Sequence, residues 1–346
     1  MTTRTRTATS HYEVQKKRRS DELEYWRQNR LHLVKGSEVV MHPTPRGIDR
    51  GVLVGIDGDR PSVVLDAHRH EIAPGAVSTV HRHSWDAIMF VTSGRGWTEV
   101  NGRRYDWRAW DTVFLPAWAW HRHGNEGNTP ATYVTFGSEP LAEMVGMAII
   151  EEAGDTGFEE LPPPPAVASP GMGSDPYTRR IERLARRQES FSETRIMTAF
   201  DDINFRVTPR GARSGFLIDR SIGYRTGGLT AVIHQLAPGL YQSQHRHGGE
   251  AWLYCTTGQG YSVIDGERYD WGPGDMAVVD HWAWHQHFNA SDTEIAAIIR
   301  VHNFDSLYMG MRALLDPLNL FEEPPKLDAP DLKDMEWPPP DAGRPK

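Results

Sequence analysis

The chain repeats one stretch of itself. Residues 75–125 align without a gap onto residues 239–289, at the offset that carries residue 81 to 245. His81-Arg82-His83 returns as His245-Arg246-His247, and Tyr105-Asp106-Trp107 as Tyr269-Asp270-Trp271. Trp118-Ala119-Trp120-His121 returns as Trp282-Ala283-Trp284-His285, and His123 and Asn125 as His287 and Asn289. A pattern this specific, present twice, means a duplicated domain. A chain of 346 residues has room for two such domains, each with its own core.

The repeated unit reads as short strands between turns. Gly51–Val54, Ser62–Leu65, Ala87–Val91, Gly96–Val100 and Thr112–Leu115 are strand candidates in the first copy. Leu229–Gln235 and Ile295–Val301 are candidates in the second. Asn101-Gly102, and Asp265-Gly266 in the second copy, predict two-residue hairpins. Closely spaced strands of this kind favour an antiparallel barrel or jelly roll. No glycine-rich loop leads into a helix, which disfavours a dinucleotide fold.

The flanks differ. The first twenty residues are basic with one acid, Glu13, and read as a disordered arm. Ser20-Asp21-Glu22 reads as the start of a short helix that packs across the first barrel. Leu161-Pro162-Pro163-Pro164-Pro165 reads as a stiff spacer, and Ser174-Asp175-Pro176 opens a basic helix to about Gln188. Leu307, Met311, Leu314 and Leu315 suggest a closing helix before an extended tail. The expected organisation is an arm and helix over 1–36, a barrel over 37–140, a proline-rich linker and helix over 141–200, a second barrel over 201–315, and a proline-rich tail over 316–346. A net charge of −8 argues against nucleic acid, and no apolar run is long enough for a membrane span. One cysteine, Cys255, fits a reducing compartment, and the expected location is cytoplasmic.

Alternate residues of a strand share a face, so His81 and His83 point together into a barrel while Arg82 points out. His121, on a later strand, supplies a third imidazole. Three neutral imidazoles suit a divalent first-row metal and leave coordination positions open. His245, His247 and His285 repeat the set. His68-Arg69-His70 has the right spacing but precedes Gly75, and only His70 has a repeat partner, His234, so it reads as structural. Asp86 and Glu250 follow the His pairs by three residues. Alternation turns both away from the metal unless a bulge re-aims them, and Glu250 stays open as a fourth ligand. His123 and His287 lie two residues beyond a ligand on the same face, where orienting substrate, exchanging protons and a structural hydrogen bond are all open. The Trp pairs read as barrel core or subunit interface.

Gly75, His81, His83 and Gly94, then Asp111, Pro116, His121 and Asn125, resemble the two cupin motifs. Both recur in the second copy, through Gly239, His245, His247, Gly258, Asp275, His285 and Asn289. The resemblance implies an all-β bicupin: two antiparallel jelly-roll β-barrels with short flanking helices. With Ala87 where many cupins carry a glutamate, and with Trp118 to Asn125, the chain is similar to the gentisate 1,2-dioxygenase family, which includes salicylate and 1-hydroxy-2-naphthoate dioxygenases. That resemblance implies Fe(II), with Mn as the alternative, and ring cleavage of a small aromatic carboxylate by O2 in a homodimer or homotetramer. It places the substrate at the first barrel. His123 and Arg95 are then the candidates to orient it and neutralise its carboxylate, with Arg82 and Arg122 disfavoured by strand alternation. A bicupin performing another oxidation, decarboxylation or lyase reaction is the alternative enzyme. A non-enzymatic ligand-binding bicupin is the other.

Overall fold

The computed structural model describes residues 8–55, 60–62, 64–161, 175–192, 194–303, 321–326, 328–333 and 335–345. The expected spacer from Pro162 and the expected closing helix over 307–315 lie outside these residues. The described chain is mostly antiparallel sheet, and each copy of the repeat forms two sheets.

In the first unit a seven-stranded sheet runs in the order Met197–Thr198, Thr112–Leu115, Ala87–Ser93, Ala131–Gly137, Asp66–Ile72, Asp49–Val54, His42–Pro43. The five-stranded sheet runs Ile150–Gly154, Val80–His83, His121–Gly124, Arg95–Val100, Arg103–Arg108. The second unit repeats the seven-stranded order with Leu33–Val34, Met276–Val279, Ala251–Thr257, Ala296–His302, Thr230–Leu236, Arg213–Ile218 and Arg206–Val207. Its other sheet is in two pieces, Glu267–Trp271 with Gly260–Ile264 and His285–Asn289, and Arg246–His247 with Phe321–Glu322. This is the jelly-roll arrangement, with facing sheets rather than hydrogen-bonded closure. The described residues of the expected strand at Ser62–Leu65 form no strand, and the Ser62 hydroxyl accepts from the amides of Val64 and Leu65.

Alternation divides the core. Ala87, Met89 and Val91 face the interior of the first unit, where they pack with Val100, Val113 and Tyr133. Ile88 and Phe90, on the opposite face, join Phe114, Val134, Trp252, Tyr254 and Ile299 in a core shared by both units. The two large sheets therefore pack back to back. Each buried Leu, Ile or Phe side chain in that seam is worth about 1.5–3 kcal/mol of transfer free energy.

Both units also exchange strands. Leu33–Val34 precedes the first repeat, yet it pairs with Met276–Val279 of the second unit. Met197–Thr198 precedes the second repeat and pairs with Thr112–Leu115 of the first. The two strands are repeat partners: adding 164 to 33 gives 197. Asp275 fixes one by accepting from the Gly36 amide at 2.9 Å, and Asp111 fixes the other by accepting from the Phe200 amide at 2.9 Å. The N-terminal segment thus docks on the second unit, where the sequence suggested the first. A two-residue strand carries too little pattern to name its partner.

Two helices are longer than expected. The first runs Ala8–Asn29, so residues 8–20 of the expected disordered arm are helical and residues 1–7 lie outside the described residues, and its exposed face carries a Lys17–Asp21 ion pair one turn apart. The basic helix runs Pro176–Ser192, its first turn capped by Asp175, which accepts from the amides of Tyr177 and Thr178. No described helix is long and apolar enough to cross a membrane. The described part of the tail is docked, and it turns at 340–343 where the sequence suggested an extended chain. Arg213 and Gln235 donate to the carbonyls of Pro338 and Pro340, and Arg344 bonds Asp201.

Candidate metal centres

The strand Val80–His83 places His81 and His83 on one face, and His121 sits directly opposite His81 in the antiparallel register. In the second unit His245 and His285 form the same cross-strand pair through reciprocal backbone hydrogen bonds at 3.0 and 2.9 Å. In each group of three, one ring nitrogen per histidine lies within 4.8 Å of the others, and all six rings are buried.

The backbone decides which nitrogen is offered. Nδ1 of His83 bonds the Trp85 carbonyl at 2.6 Å, and Nδ1 of His121 the Ala119 carbonyl at 2.8 Å. His245 and His285 do the same with the carbonyls of Ser243 and Ala283, at 3.0 and 2.9 Å. A carbonyl only accepts, so Nδ1 carries the proton and Nε2 keeps its lone pair. Nε2 of His247 is buried with no hydrogen-bond partner among the described residues. Burial pushes every one of these imidazoles below its ordinary pKa, His83 and His285 to about 4. They are neutral at pH 7. Neutral nitrogen donors without a carboxylate fit a first-row transition ion better than Mg²⁺ or Ca²⁺.

A corner holds the ligand strands in place. Trp118 and Trp282 both have left-handed backbone, φ 67° and 65°, a costly conformation for a bulky residue. Their amides donate to the carbonyls of the ligands His83 and His247, at 2.6 and 3.0 Å. The hairpin residues Asn101 and Asp265 accept from the amides of Trp120 and Trp284 at 3.0 and 2.9 Å. Trp120 is buried, while Trp118, Trp282 and Trp284 are half-buried. Trp118 and Trp120 sandwich the Arg82 guanidinium at 4.4 and 4.3 Å, and Trp282 and Trp284 sandwich Arg246 at 4.9 and 4.7 Å. Arg82 bonds Glu151 and Arg246 bonds Glu322, from the added edge strand beside each His pair.

The other candidates sort by strand face. His123 is buried and its Nδ1 lies 2.9 Å from the Thr98 hydroxyl, which accepts from Trp107 Nε1. His287, Ser262 and Trp271 repeat that chain. Arg95 is corrected. Thr98 faces His123 across the register, and Arg95 stands three residues before it, on the other face and exposed, with no place beside the triad. Arg82 and Arg122 face outward, as alternation expects, and Arg122 bonds Glu99 at 2.6 Å. His68 and His70 stay outside the triads, with His70 bonded to Thr135 and stacked on Tyr133 at 4.9 Å. Asp86 accepts from the amides of Ala117 and Gly227, a structural role.

Glu250 is not among the converging groups either. It lies beside Trp252, Arg30 and Asp280 in a small crevice under the N-terminal segment. Burial, and then Asp280, raise its pKa to about 7. A raised carboxyl pKa favours the protonated form in the fold. Its stabilisation is full below the unfolded value of 4.5 and is lost as pH rises through 7. Glu250→Gln is therefore expected to raise thermal stability at pH 8, by about 1–3 kcal/mol, and to change little at pH 4.5. Melting curves at the two pH values check this, and loss of metal from the variant would instead make Glu250 a ligand.

Sequence reasoning missed two arginines. Thr44-Pro45-Arg46-Gly47 recurs as Thr208-Pro209-Arg210-Gly211, a legible part of the repeat. Arg46 bonds Glu152 at 2.5 Å, and Arg210 bonds Glu323 at 3.0 Å. Beside the second triad opens a cavity of about 470 Å³, lined in part by Arg210, Arg300, His234, His287 and Leu253.

Comparison with known proteins now bears on these centres. A cupin domain model matches residues 68–137 and again 232–302. The chain is 26% identical to a 1-hydroxy-2-naphthoate 1,2-dioxygenase of Nocardioides sp. (strain KP7), over 72% of this chain and 66% of that protein. It is 27% identical to a 5-aminosalicylate 1,2-dioxygenase of Comamonas sp., over 73% and 71%. Among solved structures, the salicylate 1,2-dioxygenase of Pseudaminobacter salicylatoxidans superposes with a TM-score of 0.54 at 21% identity, covering 80% of this chain and 78% of that one. Oxalate decarboxylase of Bacillus subtilis superposes with a TM-score of 0.55 at 14% identity, covering 79% and 76%, a likeness of fold alone. Two cupin domains in tandem, each with three converging histidines, define the class: the protein is a bicupin. Within that class it is similar to the gentisate- and salicylate-type 1,2-dioxygenases.

Proposed function

We propose that the protein is an Fe(II)-dependent, ring-cleaving dioxygenase acting with O2 on an aromatic carboxylate that bears a hydroxyl or amino group, such as gentisate or salicylate. The observation that carries this reading is the pair of buried, neutral three-imidazole groups. His81, His83 and His121 would hold one ion and His245, His247 and His285 another. An ion bound there supplies electron transfer between the ring and O2.

The protein's own groups do the rest. The tied Nδ1 atoms keep the ligand rings from turning. In the second unit Trp271 Nε1–H occupies one lone pair of the Ser262 hydroxyl. The Ser262 hydroxyl and His287 Nδ1 share a hydrogen bond at 2.8 Å, and where the hydroxyl donates it, His287 keeps its own proton on Nε2, a donor for an anionic ligand. His123, Thr98 and Trp107 provide the same chain in the first unit. A cytoplasmic location and assembly into a dimer or tetramer go with this reading, and the buried free thiol of Cys255 suits a reducing compartment.

Oxygen uptake tests it. Protein loaded anaerobically with Fe(II) is offered gentisate, salicylate, 1-hydroxy-2-naphthoate and their amino and nitro analogues. Uptake matched to loss of aromatic absorbance is expected with at least one of them. Bound iron with no uptake from any would sink ring cleavage and leave the other oxidation, decarboxylation, lyase and binding readings.

A further inference from the structure

Beside their histidine triads the two units differ by a paired exchange of residues. Trp85 in the first unit becomes Gly249 in the second, since adding 164 to 85 gives 249. The last strand follows one residue inserted between Asn289 and Glu294, so its repeat partners are found from register. Gly137 stands opposite Ala87 and Asp66, and His302 stands opposite Ala251 and Thr230. Adding 164 to 87 and to 66 gives 251 and 230, so His302 occupies the position of Gly137. Tryptophan and glycine in the first unit are thus replaced by glycine and histidine in the second. We infer that His302 is a positioning residue of the second metal centre, holding the His247 ring at Nδ1, and that the first centre has no counterpart to it.

In the first unit there is no room for a side chain at residue 137. A Cβ there would lie 2.5 Å from Asp66 Oδ1 and 3.4 Å from Trp85 Nε1. The Trp85 indole stacks on the ligand His83, with ring centroids 4.6 Å apart and planes 14° from parallel. The carbonyl of the same residue accepts from His83 Nδ1 at 2.6 Å. One short hydrogen bond and one flat contact therefore hold that ring.

Neither device exists in the second unit. Gly249 has no side chain to stack, and its backbone is left-handed, φ 78°. Nδ1 of His247 meets the Gly248 carbonyl only at 3.2 Å, farther than the 2.6–3.0 Å of His83, His121, His245 and His285. His302 is buried beside it, with ring centroids 4.7 Å apart at 86°, and its Nε2 lies 3.3 Å from the same Nδ1. The contact is on the Nδ1 side of His247, so His302 is not a fourth ligand; the converging atoms belong to His245, His247 and His285. The Gly248 carbonyl only accepts, so Nδ1 carries the proton, and His302 Nε2 is its second acceptor. Nε2 of His247, buried without a hydrogen-bond partner among the described residues, keeps its lone pair for an ion. Two long contacts sharing one proton thus replace the single short one of the first unit.

This inference rests on the reading of the second triad as a metal centre, and its test separates the two. Co(II) is titrated into the full chain against a chelator of known affinity. The His81→Ala background isolates the second centre and the His245→Ala background the first. His302→Phe keeps a ring and removes the nitrogen. It is expected to weaken Co(II) by about 10- to 100-fold in the His81→Ala protein, and by less than about twofold in the His245→Ala protein. His302→Leu, with less bulk to accommodate, is expected to lose as much. His302→Gln, whose amide oxygen reaches the place of Nε2, is expected to recover most of the loss. Equal Co(II) affinity with and without His302→Phe or His302→Leu overturns the inference and leaves the metal centre standing. A loss that His302→Gln does not relieve, or that is equal at the first centre, also overturns it, because packing alone would then account for the effect. No Co(II) bound by the His81→Ala protein overturns both the inference and the reading of the second triad.

Discussion

Metal analysis of the purified, Fe(II)-loaded protein is expected to find two ions per chain, and His81→Ala and His245→Ala are each expected to remove one. The reason is the separation of the centres. Each group of three belongs to its own unit, and no imidazole is shared between them. Changes at sites without common partners add. Loss of one imidazole leaves two neutral donors, too few to hold the ion against dilution, whereas the other triad keeps its Nδ1–carbonyl ties. The double variant should hold none. Inductively coupled plasma spectrometry on the three proteins decides it. One ion in the parent, unaffected by one of the two single changes, would mean that only one triad is a metal centre.

The second large effect concerns stability. Asp111→Ala and Asp275→Ala are each expected to cost about 2–5 kcal/mol. Asp275 accepts from the amides of Gly36 and Gly272 and from the Lys35 ammonium, at 2.9, 3.0 and 2.7 Å. Asp111 accepts from the amides of Phe200 and Arg108, both at 2.9 Å. Removing either carboxylate orphans two amides and loosens a strand contributed by the segment that precedes the other repeat. With the shared core between the large sheets, that exchange makes the units unfold as one. Calorimetry should show a single transition, moved down in both variants. Two separate transitions in either would contradict the coupling.

Much of this was readable in the sequence. The His-x-His pairs and the later histidine follow from strand alternation and the repeat, and the structure brings all six into two groups. The outward faces of Arg82 and Arg122 follow from the same parity. Arg95 went astray because that parity was not counted from Thr98, the residue facing His123. Arg46 and Arg210 were hidden in plain view by Thr-Pro-Arg-Gly, a repeat lying upstream of the stretch that aligns most strongly. Arg300 was concealed by one residue inserted between Asn289 and Glu294, which breaks the constant offset. The exchanged strands were not legible, because two residues hold no information about a partner in the other unit.

That exchange has a consequence for synthesis. Val34 pairs with Met276, so the chain must be extended by 242 residues (276 − 34) before the first of its strands meets its partner. At about 5–20 residues per second, the segment waits roughly 12–50 s on the ribosome. Met197–Thr198, made long after Thr112–Leu115, finds its partner waiting. Two contacts alike in form therefore close in opposite temporal order, and Leu33–Val34, made before both repeats, is secured only when the second is nearly complete.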